Sequence, residues 1–179
     1  MQWKNTTTAY GKGIQALHWI MAILIIALCV IAEIMLDMPK GEEKWALYDL
    51  HKSLGVLAFL LIIVRFPWRW FSIIPSALGK AWQNKAAHIV HITLYVLMFL
   101  LPVSGLIMSW SGGHDVEFLG LFTLPNLIIK NEIIHEIGEA IHHLGGLALY
   151  ILVAGHIAAA FYHHLILRDS VLKRMFIST

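Results

Sequence analysis

The sequence predicts an all-α membrane protein: an antiparallel bundle of four transmembrane helices with both termini in the cytoplasm. Three observations predict it. Of 179 residues, 59% are hydrophobic and only 13% charged, against about 25% charged in soluble domains, too few to cover so apolar a chain in water. Four apolar runs are each long enough to cross about 30 Å of hydrocarbon, which takes roughly 20 helical residues. Basic residues also crowd into alternate connections. The length suits one domain, 1–179.

The spans are expected at about 14–36, 50–66, 86–110 and 141–167. Backbone groups find no water partners in lipid, so each run should be helical. Short connections make sequence neighbours antiparallel. Lys4 and Lys12 precede the first run as they would a signal peptide. That run is longer than an h-region and lacks a clear small-residue cleavage site, so it is expected to stay as a span. The second run is expected to end at Pro67. Between the third and fourth runs lies the longest connection, 111–140. Its stretch 131–140 has Ile133, Ile134, Ile137 and Ala140 at helical spacing, and reads either as a short surface helix leading into the fourth span or as a plain connector.

Charge sets the orientation. With the N terminus inside, the inner segments hold Lys4, Lys12, Arg65, Arg69, Lys80, Lys85, Arg168, Lys173 and Arg174, nine of thirteen basic residues, while ten of eleven acidic residues fall outside. The positive-inside rule therefore puts both termini of this multi-pass chain in the cytoplasm. The lipid bilayer is one partner, and no nucleic-acid partner is expected. One cysteine, Cys29, excludes an internal disulfide, a Cys-rich zinc site, a Cys-ligated iron–sulfur cluster and C-x-x-C-H haem attachment.

Eleven histidines remain, most of them in or beside the apolar runs. An ionisable group inside a membrane helix is a functional candidate because its desolvation must be compensated. His18 lies about one turn inside the cytoplasmic edge of the first span and His51 at the outer edge of the second, so the two cannot share a site. The fourth span offers a partner at each depth. His142 and His156, fourteen residues apart, stand about 21 Å apart along a helix and within about 40° of one another around it. The expected pairs are His51 with His142 outside and His18 with His156 inside. Four residues after each stands a small side chain: Ala22, Gly55, Gly146 and Ala160. Each lies one turn along the same face and leaves room for a flat macrocycle, although small residues also serve ordinary packing between membrane helices.

Two imidazoles per site fit a haem iron with both axial positions filled, suited to electron transfer rather than oxygen binding. Structural zinc prefers four clustered ligands. Structural or proton-relay histidines, and another imidazole-binding metal, stay open on spacing alone.

Several stretches carry a resemblance: Leu17-His18-Trp19; His51-Lys52-Ser53-Leu54-Gly55; His88-x-x-His91-x-x-x-Tyr95 followed by Pro102-x-x-Gly105; and Gly155-His156-x-Ala158-Ala159-Ala160-x-x-His163-His164 continuing to Asp169-x-x-Leu172-x-Arg174-Met175. In these the chain resembles the bacterial cytochrome b561 family, which includes superoxide oxidase, and more distantly the cytochrome b subunits of hydrogenases and formate dehydrogenases. The likeness covers nearly the whole chain and all four spans, and is weakest in the third connection. It implies a four-helix bundle with two haem b groups and places the axial ligands on His18, His51, His142 and His156.

The resemblance further implies a membrane oxidoreductase that takes electrons from superoxide outside and delivers them to ubiquinone. A quinone site near the inner pair would need proton donors, and His88, His91 and His163 lie near that depth. They read equally as interfacial histidines bonded to water or headgroups. Lys52, beside His51, is the candidate to attract the superoxide anion, with Lys130 a weaker one, although the outer side is mainly acidic. The alternative is a cytochrome b subunit that links the quinone pool to a periplasmic redox partner, with the acidic third connection as its docking element.

Overall fold

The computed structural model describes residues 3–176. Four helices, α1 (Lys12–Asp37), α2 (Glu42–Trp70), α3 (Ala81–Ser111) and α4 (Glu132–Phe161), run alternately up and down. Among the described residues these four, with α4 counted on through Ile166, are long and apolar enough to cross a membrane. α1 packs on α2, α2 on α3 and α3 on α4, whereas the backbones of α1 and α4 approach one another less closely. Tyr150 spans that wider seam, its hydroxyl donating to the Cys29 carbonyl at 2.7 Å.

The apolar runs are the middles of longer helices. Exposed polar turns extend α2 back to Glu42, where Glu42 and Glu43 sit in the first turn and favour the positive end of the helix dipole. α2 also continues through Pro67 to Trp70, beyond the end expected at that proline. One missing N–H near a helix end removes a single hydrogen bond, and the last turn persists. The stretch 131–140 forms the first turns of α4 itself, neither a separate surface helix nor a connector. Asn131 caps it, accepting from the Ile134 N–H at 3.0 Å.

Both chain ends lie at one end of the bundle. Gln15 and Trp19 of α1 donate to the carbonyls of Arg174 and Met175 at 2.9 and 2.7 Å, and Arg174 donates to the Ser76 carbonyl in the α2–α3 connection at 2.7 Å. The opposite end is closed by 112–131, which holds a hairpin of β1 (Glu117–Phe118) and β2 (Phe122–Thr123). Leu119 and Gly120 both take positive φ, 51° and 68°, and Leu121 N–H bonds back to the Phe118 carbonyl at 2.9 Å, the geometry of a type I′ turn. Ser53 of α2 ties the hairpin down, donating to the Glu117 carbonyl at 2.8 Å and accepting from Leu119 N–H at 3.1 Å. Val116 packs under it against Val56 and Trp110.

Candidate functional site

The helices bring imidazoles together at two levels. At the hairpin end His51 of α2 faces His142 of α4, with ring centroids 6.2 Å apart and planes at 78°. At the termini end His18 of α1 faces His156 of α4, at 6.3 Å and 62°. A metal–imidazole bond of about 2.0 Å and a ring radius of about 1.1 Å put two trans imidazoles about 6.2 Å apart, centre to centre. Both pairs therefore have the spacing that one shared metal ion requires. Along α4 the two levels lie about 21 Å apart at 1.5 Å per residue.

An apolar cavity of about 390 Å³ surrounds the hairpin-end pair and runs along α1 from Met21 to Leu36. Gly55 and Gly146 line it, and a Cβ built on either would meet nothing within 4 Å. The chain thus leaves empty room one turn from each ring. Among the described residues, no three or more His, Cys, Asp or Glu side chains gather at metal-binding geometry. At the hairpin end two facing imidazoles beside a broad apolar cavity fit haem, which His51 and His142 would hold; at the termini end His18 and His156 offer the same ring spacing.

The two levels differ behind the rings. His142 Nδ1 lies 3.0 Å from the Leu101 carbonyl and 3.2 Å from Ser104 Oγ, which itself donates to that carbonyl at 2.9 Å. A carbonyl only accepts, so the ring donates from Nδ1 and keeps its Nε2 lone pair free for a metal. Gly105 permits this approach, because a Cβ there would stand 3.2 Å from His142 Cε1. His51 Nδ1 is buried with no hydrogen-bond partner among the described residues. His143 is exposed and reaches Glu139 at 3.7 Å. Of the two neighbours, His142 is the one beside His51.

At the termini end His18 Nδ1 faces a donor instead: Arg65 Nη2 stands 3.3 Å away, while Arg65 Nε donates to Tyr95 Oη at 3.0 Å. Arg65 and Arg69 each sit 5.7 Å from the centre of the Tyr95 ring. Sequence reasoning placed Arg65 among the bases at the cytoplasmic edge and missed this contact. The available signal was the four-residue spacing of Arg65 and Arg69, which puts both on one face of α2. Ser104 was likewise legible only as a small residue in a helix, and Gly105 only as part of the Pro102-x-x-Gly105 motif.

Of the three histidines named for quinone, the structure brings His91 to the pair, with its ring 5.5 Å from that of His156. His88 is exposed three residues nearer the termini end. His163 lies on a π turn, Tyr162–Ile166, that follows α4, and its Nδ1 bonds Asp169 Oδ2 at 2.5 Å. Burial raises the Asp169 carboxyl, but the hydrogen bonds from His163 and the Val171 N–H, with Arg174 nearby, outweigh it and leave the group below its ordinary value of 3.8. Lys52 lines the hairpin-end cavity, with Nζ 3.4 Å from Asp49 and 3.2 Å from the Asp115 carbonyl. Lys130 lies in the connection beneath, its side chain alongside Gly113.

Comparison with known proteins agrees with this architecture. The family model described as prokaryotic cytochrome b561 matches residues 9–177. The chain is 33% identical over 168 residues to cytochrome b561 homolog 1 of Escherichia coli (strain K12), covering 89% of this chain and 92% of that one. It is 28% identical over 178 residues to cytochrome b561 homolog 2 of the same organism, covering 98% and 95%. It is 26% identical over 161 residues to the probable superoxide oxidase CybB of Yersinia pestis, covering 89% and 90%.

Proposed function

This chain belongs to the prokaryotic cytochrome b561 family, a multi-pass membrane protein of electron transfer that binds haem b, and we propose that it holds two such groups and passes electrons across a bacterial inner membrane from superoxide outside to ubiquinone inside. The observation that carries the proposal is the pair of facing imidazole couples, 6.2 and 6.3 Å between ring centres, at two levels of one bundle. His51 and His142 hold one iron, His18 and His156 the other. The positive-inside rule puts the termini-end pair toward the cytoplasm.

Haem held between His51 and His142, and between His18 and His156, would supply single-electron transfer rather than oxygen binding. His142 enters as a neutral ligand because Leu101 accepts its Nδ1 proton. Gly55 and Gly146 leave the width that a macrocycle needs. The hairpin tied to Ser53 closes the far end. Lys52 at the cavity rim offers a cation to an incoming anion, offset in part by Asp49. His91, His88 and the His163–Asp169 couple line the opposite end with groups able to donate protons to a reduced quinone. The balance is two superoxide anions, one quinone and two protons giving two dioxygen molecules and one quinol.

A reduced-minus-oxidised spectrum of the purified chain tests the cofactor, with two b-type contributions expected; their absence refutes the reading. Adding superoxide and a soluble ubiquinone to the chain alone tests the reaction. Turnover without another protein is expected.

One observation favours a second reading, a cytochrome b subunit serving a periplasmic redox partner. Leu121, Phe122, Leu127 and Ile129 stand exposed in the hairpin-end connection, close in sequence to acidic Asp115 and Glu117. A protein inert with superoxide until a redox partner is added belongs to that reading.

A further inference from the structure

Arg65 poses a physical problem that the histidine pairs do not solve. It lies in a membrane-crossing helix, half-buried. Its neighbours are the Tyr95 hydroxyl at 3.0 Å, the Met21 sulfur at 3.7 Å and His18 Nδ1 at 3.3 Å. Among the described residues neither Arg65 nor Arg69 has a carboxylate within ion-pair distance. A guanidinium at membrane depth is costly and normally faces an anion or acceptor inside the bundle. It also carries five donors and cannot give up its charge.

The contact with His18 cannot persist once that ring serves as a ligand. A neutral imidazole that binds metal through one nitrogen carries its proton on the other. Nδ1 would then present a proton to Arg65, two donors face to face, and the guanidinium must turn to another acceptor. Tyr95 fixes where it can turn. The ring sits 5.7 Å from both Arg65 and Arg69. The two guanidiniums lie on one face of α2, four residues or about 6 Å apart along the axis, with Arg69 nearer the termini end. They form a cationic pair that starts beside a candidate ligand and points along the bundle away from the membrane centre.

We propose that Arg65 and Arg69 are the carboxylate-binding subsite of the termini-end haem, receiving the two propionate groups at the porphyrin edge. The inference rests on the di-haem reading above. Haem b is the dianionic ligand that such a site needs, and planar guanidinium binds carboxylate through paired hydrogen bonds that an ammonium cannot duplicate. Tyr95 is a positioning residue: its hydroxyl holds the Arg65 Nε–H, and its ring lies within 5.7 Å of both cations. The hairpin-end pair has a different rim. Glu33 and Glu139 line its cavity, and its cation, Lys52, is already shared with Asp49.

The test compares haem b with its propionate dimethyl ester, two porphyrins of the same iron chemistry that differ in charge. The full chain with His142→Ala, produced without haem, leaves only the termini-end site. Titration with each porphyrin is followed by the low-spin bis-imidazole spectrum. Haem b is expected to bind at least tenfold more tightly than the diester. In Arg65→Gln that preference should shrink to within about threefold, and Arg65→Lys, which keeps the charge, should retain part of it. Arg69→Gln should show the same change to a smaller degree, and serves if Arg65→Gln fails to fold. Equal binding of both porphyrins to the His142→Ala protein overturns the subsite while leaving two haems in place. A preference unchanged in both glutamine variants overturns it as well, since some other cation then does the work. A chain that gives no bis-imidazole spectrum with either porphyrin refutes the di-haem reading, and the subsite with it.

Discussion

The two histidine pairs share one spacing and differ in almost everything behind it. At the hairpin end the His142 ring is backed by a backbone carbonyl and a serine, and the pair is flanked by glycines that open onto an apolar cavity and covered by a hairpin. At the termini end a guanidinium stands behind one ring, and a third imidazole, His91, lies 5.5 Å from the other. Helix phase and depth alone set the common spacing, because α4 supplies one ring to each level. The surroundings have to be built separately at each level. The hairpin end sets a carbonyl-backed imidazole beside a mostly apolar cavity, and the termini end gathers Arg65, Arg69 and His91 around its pair. That asymmetry suits a protein that takes electrons at one face and hands them on with protons at the other.

Removing one ring from α4 gives the largest expected effect. His142→Ala should lose the hairpin-end haem and keep the other, so total haem per chain falls to about half, and His156→Ala should do the converse. Haem content by difference spectrum and by extraction with pyridine measures both. Equal loss at both levels in either variant would show that the two sites do not stand apart. Next in size is Gly55→Leu. The four-carbon side chain would grow into the empty space beside His51, and haem at the hairpin end should fall well below full occupancy while the termini-end signal holds. Full occupancy at both levels in that variant would remove the steric role.

Ser104→Ala probes the support behind His142. Leu101 still accepts the ring proton, so the ligand stays oriented but loosens. Loss of such outer contacts typically weakens metal binding 10- to 100-fold, and the lower end, about tenfold, is expected here. The rate at which haem leaves for a scavenging globin reads it out. An unchanged rate would assign Ser104 to helix packing alone.

How far these differences were legible in sequence follows from the physics of each residue. Hydrophobic runs marked the four helices because lipid permits little else, and the step between His142 and His156 fixed two levels on one face because α4 is regular between them. Which of His88, His91 and His163 stands beside the inner pair was not legible: the structure brings His91 to His156, and the π turn that carries His163 has no periodicity to announce it. Sequence reasoning also placed Arg65 at a loop edge, because Pro67 suggested an earlier stop than the chain makes. The hairpin at 117–123 escaped notice because its strands are two residues each, too short to show alternation. Backbone acceptors such as the Leu101 carbonyl carry no sequence signature. That His142 faces His51 was legible as phase, and the carbonyl that takes its Nδ1 proton was not.

The smallest effect separates the ends by pH. Asp169 belongs to the termini end, in the turn after α4, where its carboxyl sits below 3.8 because the hydrogen bonds from His163 and Val171 outweigh burial. A carboxyl whose folded value is depressed contributes stability that is complete above its unfolded value, about 3.9, and is lost as pH falls through the folded one. Wild type should therefore exceed Asp169→Asn in thermal stability at neutral pH, and the gap should close below about pH 4. The Asp169 side chain is 25% exposed in a turn beyond the last span, so screening holds the difference to about 1 kcal/mol. The hairpin-end haem signal should not respond to Asp169→Asn at any pH in this range. A change there would mean that the π turn is coupled through α4 to His142, and that the two levels are not independently built.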